Sequence, residues 1–154
     1  MSKALSLFDE NVFETISPKD FAQKVADISG VQRIMGNIPA KSNCYRIIIL
    51  KNKDKTKEHG SLAKTTQLKQ YERDFAFQCN VYKNKNIDYH FEIEVNVYFK
   101  VNRSDLDNSL KCLLDCPQQC NAIKNDNLCV RIVANKYLDP HNPRVEFTIK
   151  KAQL

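Results

Sequence analysis

The sequence contains only three glycines in 154 residues, and none of them belongs to a Gly-rich loop of the kind that binds phosphate groups. It also lacks any apolar run near the roughly 20 residues that a membrane-spanning helix needs. Residues 1–10 do not have the charged, apolar and cleavage regions of a secretory signal peptide. We therefore expect a soluble, intracellular protein in the cytoplasm, and the sequence leaves open whether it comes from a cell or a phage.

The six cysteines include no C-x-x-C pair, and only three histidines accompany them. This pattern does not favour a zinc site or a disulfide framework, so we expect reduced thiols. Cys112, Cys116 and Cys120 are spaced four residues apart and would share one face of a helix. We expect these three to be small residues of the hydrophobic core.

The length of the chain and the distribution of its charge suggest one basic domain. The formal net charge is +6. Residues 1–40 contain four Lys and Arg against five Asp and Glu, whereas residues 41–154 contain twenty against thirteen. Such an excess favours a polyanionic partner, although many basic domains bind nothing of the kind. Composition alone therefore leaves nucleic-acid binding at even odds.

Hydrophobic spacing predicts alternating helices and strands. The predicted helices cover residues 18–29, 62–79 and 108–116, and the predicted strands cover residues 44–50, 89–100, 130–135 and 144–149. Pro117 should end the third helix. The first predicted strand is rich in β-branched residues and should be buried, and the second shows strict alternation of apolar and polar residues. This order predicts an α/β or α+β fold, with a mixed sheet of about four strands and packed helices.

An acidic cluster follows the clearest predicted strand. Asp105 and Asp107 would project to the same side of an extended segment, and Lys111 lies one helical turn beyond Asp107. A third acid, Asp126, comes later in an Asn-Asp pair. Hard oxygen ligands without clustered histidines or thiols point to Mg²⁺ or Mn²⁺, and magnesium in open sites commonly serves phosphate chemistry.

A simpler interpretation explains the same spacing. Asp105 and Asp107 could cap a helix, while Lys111 forms an exposed ion pair on its surface. From spacing alone we favour this interpretation. An EF-hand is excluded, because Leu110 stands where its loop needs glycine and Cys116 where it needs glutamate.

A family resemblance changes that balance. The stretch from Asp105 reads D-L-D-N-x-x-K-x-x-x-D and ends at Asp115, and the later Asn-Asp pair precedes a predicted strand. Together with Lys136, the closing P-R-V-E-F-T-I and the upstream I-P-A-K-S-N at residues 38–43, it resembles the RusA family of Holliday junction resolvases. The resemblance spans about residues 36–150. It leaves residues 1–35 as an N-terminal helical extension and residues 36–154 as a RusA-like endonuclease domain.

The resemblance implies a function and assigns roles to residues. The chain would be a homodimeric, metal-dependent endodeoxyribonuclease that resolves four-way DNA junctions by paired nicks during recombination and repair. Asp105, Asp107 and Asp126 would bind Mg²⁺, for which Mn²⁺ could substitute, and Lys111 would be the essential basic residue. Asp115 would orient that lysine or the helix. The residues expected to contact DNA are Arg103, Lys136 and Arg144, although plain surface charge would account equally well for the last two.

One position departs from the family pattern, and other functions remain open. Members often have two adjacent acids where this chain has Asn125 and Asp126. We expect the change to lower the local negative charge and leave the site intact. The alternatives are a less selective metal-dependent nuclease for branched DNA and a non-catalytic basic DNA-binding module.

Overall fold

The computed structural model describes residues 30–153. The helix predicted over residues 18–29 therefore lies outside the described residues. The α-helices and β-strands of the described part, in chain order, are β1 Gln32–Met35, β2 Tyr45–Lys51, β3 Glu58–Lys64, α1 Thr66–Gln78, β4 Phe91–Phe99, α2 Leu106–Gln119, β5 Cys129–Leu138 and β6 Arg144–Lys151. Two short 3₁₀ helices, Lys41–Asn43 and Asp126–Leu128, precede β2 and β5. Of the helices in this part of the chain, none has the length and apolarity that crossing a bilayer requires.

The main sheet has four strands in the order β1-β6-β4-β5. β6 is antiparallel to both β1 and β4, whereas β4 and β5 are parallel. A parallel pair needs a crossover connection, and α2 provides it between β4 and β5. The predicted mixed sheet of about four strands within an α+β domain is therefore confirmed.

The central strand β4 has the alternation that its sequence predicts. Its five apolar side chains are all buried, whereas the residues between them are partly or fully exposed. The two helices cover the buried face with residues such as Phe75 of α1 and Leu113 of α2. Phe75 also stacks on Phe147 of β6, with ring centroids 5.9 Å apart. One hydrophobic core thus holds both helices against the sheet.

The cysteines are free thiols, as predicted, and most of them belong to this core. Cys112, Cys116 and Cys120 are buried, which confirms the interpretation of their spacing. The sulfur atoms of Cys112 and Cys116 lie 3.8 Å apart on α2. Cys79 and Cys120 occupy the C-cap positions of α1 and α2.

The segment predicted as a buried strand is instead half of an exposed hairpin. Among the strands of residues 30–153, β2 pairs only with β3, in a two-stranded sheet separate from the main one. The side chains of Ile47 and Ile49 are 79% and 68% exposed. β3 itself was not predicted, because part of it was assigned to the following helix. That helix begins at Thr66, where the Thr65 side chain accepts a hydrogen bond from the Leu68 backbone N–H at 3.3 Å.

The third predicted helix continues beyond its expected end. α2 runs to Gln119 with Pro117 inside its last turn, so the prediction that Pro117 ends the helix was wrong. Proline has no backbone N–H to donate to the carbonyl four residues earlier. Near the end of a helix this missing hydrogen bond is tolerated, and here two more helical residues follow Pro117. The Pro117 carbonyl accepts a hydrogen bond from the Ala122 N–H at 2.8 Å, which forms the turn that closes α2.

The short strand β1 joins the N-terminal part of the described chain to the main sheet. Gln32 pairs with Phe147 of β6, and its side-chain amide donates to the Gln78 carbonyl at 2.9 Å. The Gln78 side chain in turn accepts from the Met35 N–H at 2.7 Å. Residues 32–35, which the sequence analysis placed in the N-terminal extension, therefore belong to the main sheet. That the remaining residues before them form a separate extension stays a prediction.

Candidate active site

Two of the predicted acids lie where β4 gives way to α2. Asp105 is the N-cap of α2 and keeps an extended backbone, with φ −94° and ψ 129°. Its carboxylate makes no capping hydrogen bond and instead accepts from the Asn108 side chain at 3.4 Å. Asp107 is exposed in the first helical turn. Both carboxylates are therefore close to the positive end of the helix dipole, which stabilises negative charge.

The loop that carries Asp105 is tied to β5 by Lys136. The Lys136 ammonium donates to the carbonyl of Asn102 at 2.8 Å and also to that of Ser104. It lies 5.7 Å from the centre of the Phe99 ring at the end of β4. Lys136, which the sequence suggested as a DNA contact, thus stabilises the loop before Asp105 through hydrogen bonds to its backbone.

Lys111 contacts two carboxylates from different parts of the chain. Its ammonium donates to Asp126, just before β5, and pairs at 2.9 Å with Asp115 one turn further along α2. The hydrogen bond with Asp126, followed by that with Asp115, raises the pKa of Lys111. The lysine is therefore a fixed positive charge at neutral pH, held in place from two sides.

Asp115 connects this lysine to a second one that the sequence did not identify. Its other oxygen pairs with the Lys41 ammonium at 3.0 Å, and Lys41 also donates to the Tyr45 hydroxyl at 3.2 Å. Burial on its own would raise the pKa of Asp115, but the hydrogen bonds with Lys111 and Lys41 outweigh it and lower the pKa. Lys41 lies within the I-P-A-K-S-N stretch, which was the one available signal.

Asp126 is placed by its own local hydrogen bonds. It opens the 3₁₀ helix Asp126–Leu128, and its backbone N–H donates to the Gln118 side chain at 2.9 Å. The Asn125 side chain accepts from the Asn127 N–H at 3.0 Å and so caps that short helix. The residue that departs from the family pattern therefore supports the position of its neighbour.

The three predicted metal ligands are not brought together in this arrangement. Asp105 and Asp107 are at the N-terminal end of α2, whereas Asp126 follows that helix and contacts Lys111. Within residues 30–153, no three His, Cys, Asp or Glu side chains form a group that could hold a metal ion. The donor chemistry nevertheless fits a hard cation, because all three side chains offer carboxylate oxygens. The assignment of these ligands stays a prediction.

The two arginines suggested as DNA contacts have different environments. Arg103 is exposed in the loop before Asp105. Arg144 is only 7% exposed, and its guanidinium pairs with Asp139 at 2.7 Å and with Glu146 at 2.8 Å. It also stacks 3.7 Å from the centre of the Tyr98 ring. The geometry favours a structural role for Arg144 and leaves Arg103 available to a ligand.

An open cleft with a volume of about 500 Å³ adjoins Asp105. It lies between the segment before β2, the first turn of α1 and the start of α2. Asn43 and Gln67 are among its lining residues, and sequence reasoning did not identify either as part of the site.

Comparison with known proteins gives one family match. A family model described as "Endodeoxyribonuclease RusA" matches residues 45–150, which is well over half of the chain. The matched range includes the acidic cluster, Lys111 and the hairpin β2–β3, and it excludes β1 and Lys41. No curated protein matches the chain.

Proposed function

The chain belongs to the RusA endodeoxyribonuclease family, and from this premise we propose that it is a Mg²⁺-dependent endonuclease that resolves four-way DNA junctions by paired symmetric nicks. The observation that carries the proposal is the contact between Lys111 and Asp126. Two residues of the family motif that are distant in sequence meet beside the helix that starts with the other two acids. A surface that only attracted phosphate would gain nothing from carboxylates there.

We propose that Asp105, Asp107 and Asp126 would hold the metal ion, with Mn²⁺ as a possible substitute. A bound divalent cation supplies Lewis-acid polarisation of the scissile phosphate and a source of hydroxide at neutral pH. The two exposed carboxylates at the start of α2 offer the hard oxygen donors that such an ion requires.

Three basic side chains of the site would stabilise negative charge on the DNA or hold another residue in position. Lys111 is a protonated ammonium whose location is set by Asp115 and Asp126, so it can stabilise negative charge that develops on a phosphate oxygen. Lys41 would hold Asp115 in turn and thereby keep Lys111 in place. Arg103 is exposed two residues before Asp105 and would attract the DNA backbone.

Two paired nicks require two active centres. One chain carries one acidic cluster, and a four-way junction is two-fold symmetric, so we propose that the active species is a homodimer. Its role would be in DNA recombination and repair, and we propose a cytoplasmic location. Sedimentation at micromolar concentration should give the mass of a dimer. A monomer that cuts both strands in concert would contradict this part of the proposal.

The decisive experiment uses a labelled four-way junction with the purified protein. With Mg²⁺ we expect two symmetric nicks, and with EDTA we expect binding without cleavage. A linear duplex of the same sequence is the control and should stay intact. Equal cleavage of flaps and forks would indicate a less selective nuclease for branched DNA. Binding without cleavage in either Mg²⁺ or Mn²⁺ would indicate a non-catalytic DNA-binding module.

Metal binding needs a measurement that does not depend on cleavage. Mn²⁺ titration followed by electron paramagnetic resonance should show one bound ion per chain. We expect Asp105→Asn, Asp107→Asn and Asp126→Asn each to weaken it. If Asp126→Asn bound Mn²⁺ as tightly as the wild type, the ligand set would shrink to the two acids at the start of α2.

A further inference from the structure

The cleft beside Asp105, named here the side cleft, has walls from three parts of the chain. The end of β4 and the start of α2 form one side, the segment from Asn37 to Asn43 forms another, and Gln67 in the first turn of α1 completes it. Its volume of about 500 Å³ falls within the usual range for small-molecule sites and exceeds the space that one nucleobase needs. Because Asp105 lines it, anything bound there would adjoin the proposed metal site.

The charges around the side cleft favour a neutral polar ligand. Among the described residues that line it, Arg103 is the one cation and Asp105 the one anion. The others are amides, hydroxyls and apolar groups such as Val101 and Pro39. A phosphate inside the cleft would face the Asp105 carboxylate, whereas a nucleobase could lie against the apolar groups and bond to the polar ones. The chemistry therefore fits a base better than a backbone phosphate.

Four side-chain amides of the described part of the chain line the side cleft, and two of them, Asn43 and Gln67, are free to hydrogen-bond to a ligand. The Asn37 side-chain oxygen accepts from the Lys100 N–H at 3.0 Å, and the Asn108 side-chain nitrogen donates to Asp105, so each of these amides already uses one of its two polar groups. Asn43 and Gln67 are exposed, and within residues 30–153 neither side chain has a hydrogen-bond partner. A carboxamide offers a donor and an acceptor side by side, which is the pattern that reads the edge of a base.

We propose that the side cleft binds the nucleobase next to the scissile phosphate, and that Asn43 and Gln67 hydrogen-bond to its edge. This inference rests on the proposed function and adds a nucleotide subsite to it. A base can enter the cleft only after it has left the helical stack. That step costs least where pairing is already disturbed, as at a branch point. Base capture would therefore contribute both to selection of branched DNA and to a preference for the base at the cut.

The test measures unstacking without cleavage. A four-way junction carries 2-aminopurine next to the mapped cleavage position, and the protein is added in EDTA. We expect 2-aminopurine fluorescence to rise several-fold with the wild type and to stay near its starting value with the variant Asn43→Ala/Gln67→Ala. Junction affinity of that variant should change by less than about threefold, because few phosphate contacts are lost. Asn80→Ala, which changes an exposed amide just beyond the other end of α1, should behave as the wild type.

Cleavage mapping gives a second, independent readout. On junctions that vary the flanking base, the wild type should prefer one base by roughly tenfold or more, and the double variant should lose that preference. Wild-type cleavage with unchanged 2-aminopurine fluorescence would overturn the side cleft as a base site and leave the proposed function intact. A double variant that retained both the fluorescence rise and the preference would do the same. Failure of the wild type to bind or cut any junction would instead remove the proposed function.

Discussion

The Lys111 ammonium contacts the Asp126 carboxylate, which lies fifteen residues further along the chain. The same ammonium pairs with Asp115, so its position is determined by two acids on different elements. A lysine held in this way is suited to act on charge at one point. It is less suited to contribute a general attraction for DNA, which many other basic residues supply.

Replacement of Lys111 by alanine should therefore affect chemistry more than binding. We expect the single-turnover cleavage rate to fall about 10²–10³-fold, since a charge placed against a developing oxyanion is worth several kcal/mol. Junction affinity should change only a few-fold. Lys53→Ala in the exposed hairpin loop is the control, with slightly weaker binding and a normal rate at saturating DNA. If Lys111→Ala lost affinity and kept its saturated rate, the lysine would be a docking residue.

Replacement of Asp107 by asparagine should separate binding from cleavage. The change removes a proposed metal ligand but keeps the shape of the side chain and the start of α2. We expect cleavage to fall more than about 100-fold, and junction binding to persist or tighten because repulsion of phosphate decreases. Asp88→Asn, exposed before the opposite end of β4, is the matched control. Normal cleavage by Asp107→Asn in gel assays would exclude the assignment.

The ion pairs of Asp115 predict how stability depends on pH. The folded state lowers the pKa of Asp115, so its contribution to the free energy of unfolding is full well above pH 3.8 and is lost as the pH falls through the folded pKa. Urea unfolding should show that Asp115→Asn is less stable than the wild type at pH 7. The difference should shrink as the pH falls below 3.8 and through the folded pKa of Asp115. A difference that did not shrink as acid protonated Asp115 below pH 3.8 would contradict the ion pairs.

The two candidate DNA arginines should give opposite results. Arg144→Ala leaves the carboxylate of Asp139 without its cation and removes one of the two arginines that pair with Glu146, the other being Arg33. We expect it to lower the free energy of unfolding by about 3 kcal/mol. Arg103→Ala should leave stability unchanged and weaken junction binding a few-fold, more at low salt than at high salt. Thermal unfolding and fluorescence anisotropy measure the two effects. A stable Arg144→Ala variant with weakened DNA binding would reverse the assignment.

The predictions from sequence were most accurate where the residues that form a feature lie close together in the chain. β4 alternates apolar and polar residues over nine positions because one of its faces packs under both helices, and that face was identified in full. The acidic cluster was equally visible, since Asp105, Asp107 and Lys111 lie within one short stretch. In both cases the spacing of residues along one short segment is enough to show which side chains share a face.

Features that depend on which elements pack together were predicted poorly. The β-branched run of β2 indicates an extended backbone, but its burial depends on what packs against it. Among the described strands, β2 pairs with β3 alone, and most of its side chains are exposed. β3 itself has little β-branched character and is formed by its pairing with β2. Lys41 and Asp115 are 74 residues apart, so their contact exists only once the segment before β2 has packed against α2.

The burial of the thiols gives the protein internal probes of its own opening. Five of the six cysteines are buried, and Cys129 is partly exposed. A thiol reagent should modify Cys129 in the native protein, whereas the others react only when the surrounding structure opens. Because Cys79 and Cys120 lie at the ends of α1 and α2, and Cys112 lies within α2, early labelling of the first two would report fraying of the helix ends. Simultaneous labelling of all five would show that the helices and the sheet separate in one cooperative step.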